Sequence, residues 1–515
     1  MGLFIYSSKV NMSSKSFALL LSAILLAAPY LAPSLFPLAW ISFVPLFWVI
    51  GKAETWRRAV LYGWLMGTVA HLLGFHWLVY TINVFGGFPY PISSLVFLIY
   101  AILQGLQMAL FALLVRRFGF GPLQILPGVF WVALAFWFPL LFPWYLANSQ
   151  VSFSLFIQSA DLVGPYGASF VLMWFNAAVY RLVCAGKEER RSRIRALGYC
   201  AMCALLSLIY GYQRLATVTD EIAAARKLPV AAVQGNIDID LKWNPALVKQ
   251  NLEKHKNLTS QLEAVPLVIW PESAVEVWLP DQLQYLPEDL MPQLKSPQSH
   301  LIFGAKSFRG RPGTADFQAF NTAFFADSAG RVLGRYHKQV LLAFGEYLPF
   351  AKVLALLPAM PFADGFTAGR GAVTFEMPGG IRIGSLICYE DLMPELSRNF
   401  VKETRANLLI NLTNDAWYGK SVGPWQHARL AQSRAIETRR SLLRVTNTGV
   451  TSLINAKGEL VQSLPMFVPE VLKAEVDILT GETYYVRYGD WFAWAITINT
   501  VAIVFFHLKR AITDE

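Results

Sequence analysis

The sequence predicts a chain in two parts: a bundle of about eight membrane-spanning α-helices attached to a layered α/β sandwich. Three observations carry this prediction. Of the 515 residues, 55% are hydrophobic and only 15% charged, the balance of a membrane protein. The apolar excess falls in residues 1–213 and 488–508, leaving 214–487 with ordinary globular composition. Between 228 and 487, short β-rich runs alternate with helical stretches, as in layered α/β domains. The expected units are a transmembrane bundle of about seven helices over 1–213, a globular domain over 214–487, and a last helix with a short tail over 488–515.

Measured against the roughly 20 residues a bilayer requires, spans are expected near 17–33, 36–50, 59–82, 92–115, 122–141, 166–183, 196–213 and 489–508. Loop charges orient them. Lys9 and Lys15, then Lys52, Arg57 and Arg58, Arg116 and Arg117, the run from Lys187 to Arg195, and Lys509 and Arg510 mark one side. The loops 34–35, 83–91 and 142–165 on the other side hold no Lys or Arg. By the positive-inside rule both termini are cytoplasmic and 214–487 is extracytoplasmic. The net charge of +10 is absorbed mostly by these loops, so it does not point to nucleic acid.

In the globular part, 228–233, 266–270, 300–305, 321–327, 381–388, 406–412, 441–446 and 451–455 read as strands, and 244–263, 283–294, 392–403 and 424–440 as helices. Three strand ends carry reactive groups. Leu267-Val268-Ile269-Trp270-Pro271-Glu272 sets a carboxylate behind a strand-stopping proline. Arg335-Tyr336-His337-Lys338 leads an ammonium into a loop that continues to Phe344-Gly345-Glu346-Tyr347. Ile381 to Ile387 ends in Cys388-Tyr389-Glu390, and Cys388 alone of four cysteines lies in the globular part. A lone thiol has no disulfide partner in its domain, and no His, Cys and acid cluster has metal-ligand spacing. A base such as Glu272 could deprotonate the thiol, while Lys338 and a backbone N–H could stabilise an oxyanion.

Trp270-Pro271-Glu272, Lys338 and Cys388-Tyr389-Glu390 resemble the Glu–Lys–Cys triad of the nitrilase superfamily. Joined to the spans, they resemble its membrane-bound branch, the apolipoprotein N-acyltransferase family. Gln234-Gly235-Asn236, Asn411 through Gly419, and Thr446-Asn447-Thr448-Gly449 fit that family too, whereas Leu342-Ala343 stands where it often has a proline. The resemblance implies a nitrilase-like αββα sandwich and a catalytic trio of Glu272, Lys338 and Cys388. It implies supporting roles for Glu346, Tyr389 and Glu390, with Trp243, Asn321 and Trp417 as substrate-binding candidates.

It further implies transfer of a fatty acyl chain from a phospholipid, phosphatidylethanolamine-like, through a Cys388 thioester. The acceptor is the α-amine of S-diacylglyceryl-cysteine on an apolipoprotein. No cofactor is implied. The setting is a multi-pass monomer in a bacterial inner membrane with its catalytic domain periplasmic. Because lipid chains do not readily leave the bilayer, the apolar, proline-broken stretch 343–363 is expected to form a membrane-facing lid. A membrane-tethered amidase is the rival within enzymes, and a transporter or scaffold with an inactive domain the rival outside them.

Overall fold

The computed structural model describes residues 12–242, 244–347 and 365–513. Trp243 and most of the lid expected over 343–363 lie outside the described residues.

Helices Met12–Leu31, Pro33–Gly51, Tyr90–Phe118 and Arg190–Ala224 are long and apolar enough to cross a membrane. Trp56–Gly74 and Leu78–Gly86 add a fifth crossing if that pair, bent by 69°, is one span. The remaining expected spans match helices Leu126–Trp137, Pro165–Val183 and Trp491–Thr513. Small residues allow close packing: a Cβ on Gly63 would lie 2.4 Å from the Met108 carbonyl oxygen, and one on Gly67 2.6 Å from Met108 Cγ. Their absence lets two helix backbones touch. The helix Arg190–Ala224 runs without a break from the bundle to the first strand.

The globular part contains two sheets. The first is built from β1 (Arg226–Gln234), β2 (Leu267–Ile269), β3 (Val275–Pro280), β4 (His300–Arg309), β5 (Gln318–Asp327) and β6 (Val332–His337). The second uses β7 (Thr374–Met377), β8 (Ile381–Ile387), β9 (Leu408–Thr413), β10 (Leu442–Thr446), β11 (Ser452–Ile454) and β12 (Leu460–Ser463), while β13 (Glu470–Ile478) returns to the first. Their orders are β13-β1-β2-β4-β5-β6, with β3 on β4, and β12-β11-β10-β9-β8-β7. Strand alternation builds the layers. Val230, Ala232 and Ile269 pack with Ile383, Ile387 and Leu412 between the sheets. Ala231, Val233 and Val268 point the other way and pack with Leu252 on helix Val248–Ser260. Helices Pro394–Thr404 and Gly423–Thr438 belong to the outer layer beside the second sheet, completing an αββα sandwich.

Two local expectations fail. No helix forms over 283–294, where only Glu288–Leu290 makes a short 3-10 turn. Pro287 and Pro292 break the run, and Leu286 N–H donates to the Gly330 carbonyl at 2.8 Å. Five strands (β3, β6, β7, β12 and β13) lie outside the expected set. They are short or partly exposed, as β12 is along its whole length, so they leave no continuous apolar run.

Candidate active site

Parallel strands β8, β9 and β10 carry their chain directions to one end of the second sheet, and Cys388 begins there. All of β8 except Arg382 is buried, which fixes the position of its end. Cys388 itself adopts φ 54°, a left-handed conformation disfavoured for a side-chain-bearing residue. It opens the turn Cys388–Leu392, and its carbonyl accepts from Asn411 Nδ2 at 2.9 Å. Glu390 pins this turn: Oε2 accepts Ile387 N–H at 2.8 Å, while Oε1 accepts Gln339 and Val340 N–H at 2.7 and 3.0 Å. One carboxylate thus ties the cysteine turn to the loop after Lys338.

Glu272 follows β2 in a tight bend that packs on β4. A Cβ on Gly304 would sit 2.6 Å from Glu272 Cα, so glycine is required for this approach. Lys338 follows β6; its N–H donates to the Asn321 carbonyl at 2.9 Å. Its Nζ meets Glu346 Oε2 at 2.8 Å in a buried pair. Asn321 lies within β5 rather than at a strand end, and its Nδ2 donates to Glu272 Oε1 at 2.8 Å and Glu346 Oε1 at 2.9 Å. Glu272, Asn321, Glu346 and Lys338 therefore form one hydrogen-bonded chain, and the charges of Glu272 and Lys338 both act on Cys388.

Burial raises the Cys388 thiol well above its usual range, Glu272 adding to the effect and Lys338 opposing it. Burial also raises Glu272, with Lys338 opposing. For Lys338 burial disfavours the charge, but Glu346, Cys388 and Glu272 outweigh it and hold the ammonium well above its ordinary value. The arrangement keeps a fixed cation beside a neutral thiol and a carboxyl group of raised proton affinity. Burial brings Glu390 up to about 7 against the pull of Lys338 and three backbone N–H groups.

Bundle residues complete the walls. Phe85, on the short helix beyond the 69° bend, meets Trp417 with ring centroids 4.4 Å apart. Trp77 packs on Tyr418 at 4.7 Å and donates to Gln426 at 2.8 Å. Phe142 meets Tyr389 edge-on at 6.4 Å. Of the residues named from sequence, all but the undescribed Trp243 come to this strand end.

Sequence reasoning missed several neighbours. Lys242 is buried, donates to the Ser273 carbonyl at 2.8 Å, and its charge acts on Glu272. Behind Cys388, His427 joins Asp391 at 2.9 Å and Asp415 at 2.8 Å, and Arg444 bonds to both acids. These side chains lie on separate elements, with no shared motif to reveal them. The one available signal was the density of charge within otherwise buried segments.

A family model described as carbon-nitrogen hydrolase matches residues 229–485, and one described as apolipoprotein N-acyltransferase N-terminal domain matches 22–178. The apolipoprotein N-acyltransferase of Geobacter metallireducens is 33% identical over 95% of this chain and 94% of its own. That of Azotobacter vinelandii is 33% identical over 92% of this chain and 91% of its own. Among solved structures, the Nesterenkonia AN1 amidase of the nitrilase superfamily is 19% identical over 50% of this chain and 93% of its own, with a TM-score of 0.34. With both family models in the expected order and such relatives aligned nearly end to end, this chain belongs to the apolipoprotein N-acyltransferase family.

Proposed function

We propose that this membrane-bound enzyme N-acylates lipoproteins in two half-reactions at Cys388, with a phospholipid as donor. The observation that carries the reading is the hydrogen-bonded chain from Glu272 through Asn321 and Glu346 to Lys338, set beside Cys388 where the sandwich meets apolar helices.

In the first half-reaction Glu272 takes the Cys388 proton as sulfur attacks the donor ester carbonyl. Negative charge developing on the carbonyl oxygen faces the Lys338 ammonium and the N–H groups opening the Cys388–Leu392 turn. The C–O bond breaks, the proton held by Glu272 passes to the departing oxygen, and a lysophospholipid leaves a thioester on Cys388. In the second, a neutral amine attacks the thioester, the C–S bond breaks, and sulfur regains a proton as the amide forms. An α-amine, with a pKa of roughly 7.7–8.0, is partly neutral near pH 7, whereas a lysine at about 10.4 is not. That difference favours the N-terminus of a diacylglyceryl-cysteine as acceptor.

The raised thiol and fixed cation support general-base activation over a resting thiolate. Phe85, Trp417 and the exposed Phe344 support an apolar approach to sulfur. The reading places 1–213 and the last helix in a bacterial inner membrane and 214–487 on its periplasmic face. Incubation with phosphatidylethanolamine labelled in its acyl chain and a diacylglyceryl-cysteinyl peptide should yield the labelled peptide amide. Label released only as free fatty acid would favour the hydrolase reading and reject this one.

A further inference from the structure

The opposite end of the second sheet holds a second charged feature, which the reaction above does not use. A cleft of about 510 Å³ opens where β8, β9 and β10 begin, lined by Arg382, Arg405, Arg440, Arg487 and Glu482 among others. Seven residues of β8, at about 3.3 Å each, separate it from Cys388 by roughly 20 Å. Arg405 and Arg487 both contact Glu482, and Arg382 meets Glu376 at 3.4 Å. Even with Glu376 and Glu221 counted, four cations face three acids, and Glu221 is itself paired with Arg214 at 2.9 Å. Arg440 is only 3% exposed and makes hydrogen bonds to backbone carbonyls of Ala406 and Gly481. Burial presses it down to about 10, only partly offset by Glu482 and Glu221, as befits a cation short of counter-charge.

The position of the cleft identifies its ligand. Gly481, Glu482 and Arg487 directly precede the apolar helix Trp491–Thr513. Around them Tyr484, Tyr488, Trp491 and Trp494 are 49%, 53%, 39% and 49% exposed, an aromatic girdle of the kind found at headgroup depth. Helix Gly423–Thr438 rests on the bundle at both ends. Gln426 bonds to Trp77 and the Gly74 carbonyl near one end, and Arg439 just past the other bonds to Asp161 and Gln158. The reactive end and the arginine end of the sheet thus both approach the bundle.

We propose that this arginine cleft binds the phosphate of an anionic phospholipid headgroup, as a lipid site separate from the reacting centre. Guanidinium groups suit a phosphate oxygen pair, and because Glu482 is already held by Arg405 and Arg487, the excess positive charge disfavours the ammonium of a zwitterionic headgroup. Arg405 and Arg487 supply the exposed donors, while Arg440 sets a positive floor.

Native mass spectrometry of the full-length protein in detergent, titrated with dioctanoyl phosphatidylglycerol, dioctanoyl phosphatidylcholine or inorganic phosphate, tests this. Phosphatidylglycerol should bind at least tenfold more tightly than phosphatidylcholine, and equimolar inorganic phosphate should not displace it. Arg405→Gln with Arg487→Gln should weaken phosphatidylglycerol about tenfold while Cys388 still acylates, which also reports on folding. Arg382→Gln with Arg405→Gln is the second variant should the first fail to fold. Unchanged phosphatidylglycerol binding in a folded variant, equal binding of phosphatidylcholine, or displacement by inorganic phosphate would overturn the proposal.

Discussion

Asn321 holds Glu272 and Glu346 with one side-chain nitrogen, donating to the first at 2.8 Å and to the second at 2.9 Å. Two buried carboxylates this close are tolerable because that nitrogen bridges them, while the Lys338 ammonium pairs with Glu346 and its charge also acts on Glu272. Asn321 therefore fixes the geometry of Glu272 and, with Lys338, works against the rise in its proton affinity that burial causes.

Removing the amide in Asn321→Ala should raise Glu272 further, because a hydrogen bond favouring its charged form is lost. Because burial raises Glu272, the acidic limb of Cys388 acylation is expected above the ordinary carboxylate value of about 4.3. In the variant it should move to still higher pH. A hydrogen bond to a charged group is worth about 1.5–3 kcal/mol, so the rate near neutrality should fall by about one to two orders of magnitude. Pre-steady-state acylation measured from pH 4 to 8 would show it; an unmoved limb would mean that Asn321 does not tune the base.

Glu390 accepts hydrogen bonds from backbone N–H groups of both the cysteine turn and the Lys338 loop, so a positioning role is expected of it. In Glu390→Gln one acceptor oxygen becomes a donor, leaving the N–H of Ile387 or those of Gln339 and Val340 without a partner. The Cys388 turn and the Lys338 loop should then lose their common tie. The acylation rate should drop about 10- to 100-fold with little change in KM for the donor, because positioning errors are felt most in the transition state. A change confined to KM would instead place Glu390 in substrate binding.

The contact of Phe85 with Trp417 should matter only for long-chain donors. Phe85→Asp should cut acylation from a phospholipid at least tenfold and leave acylation by a water-soluble short-chain ester within about twofold, since burial of each chain methylene contributes about 0.8 kcal/mol. Equal losses with both donors would show a general distortion of the site.

The cluster behind Cys388 predicts a pH-dependent stability. Burial disfavours the charge on His427, but Asp391 and Asp415 outweigh both burial and Arg444 and raise it to about 9. A group whose proton affinity rises on folding stabilises fully below its unfolded pKa of about 6.5, and that stabilisation fades as pH climbs through the folded value. The difference in apparent Tm between the protein and His427→Gln should be largest near pH 6 and shrink steadily toward pH 10. A difference that grows with pH would reverse the sign and refute the assignment.

Glu272 and Cys388 were legible in the sequence because each ends a buried run, Leu267–Ile269 and 383–387, whereas Lys338 follows the partly exposed β6 and was readable only from its motif. Glu346 was also readable from its motif. Asn321 was visible only as a strand residue, since nothing local reveals that β5 aims its amide between two acids. Lys242, His427 and Arg444 stayed hidden for a related reason. A buried charge is intelligible only through its partners, and these partners come from segments as distant as 391 and 444. The strands β12 and β13 escaped notice because half-exposed edges lack an apolar signature. The bend at 75–77 has no proline to announce it; its aromatic residues turn inward, and Trp77 is secured by Gln426 from the other part of the chain.

On the proposed mechanism Cys388 carries the acyl group between two lipid substrates. Intact-mass analysis of purified protein after exposure to a single defined phospholipid, without acceptor, tests it most directly. A mass increase of one acyl chain is expected, sensitive to hydroxylamine, absent in Cys388→Ala, and discharged when a diacylglyceryl-cysteinyl peptide is added. Transfer to the peptide at full rate with no such adduct, or an adduct that survives in Cys388→Ala, would contradict it.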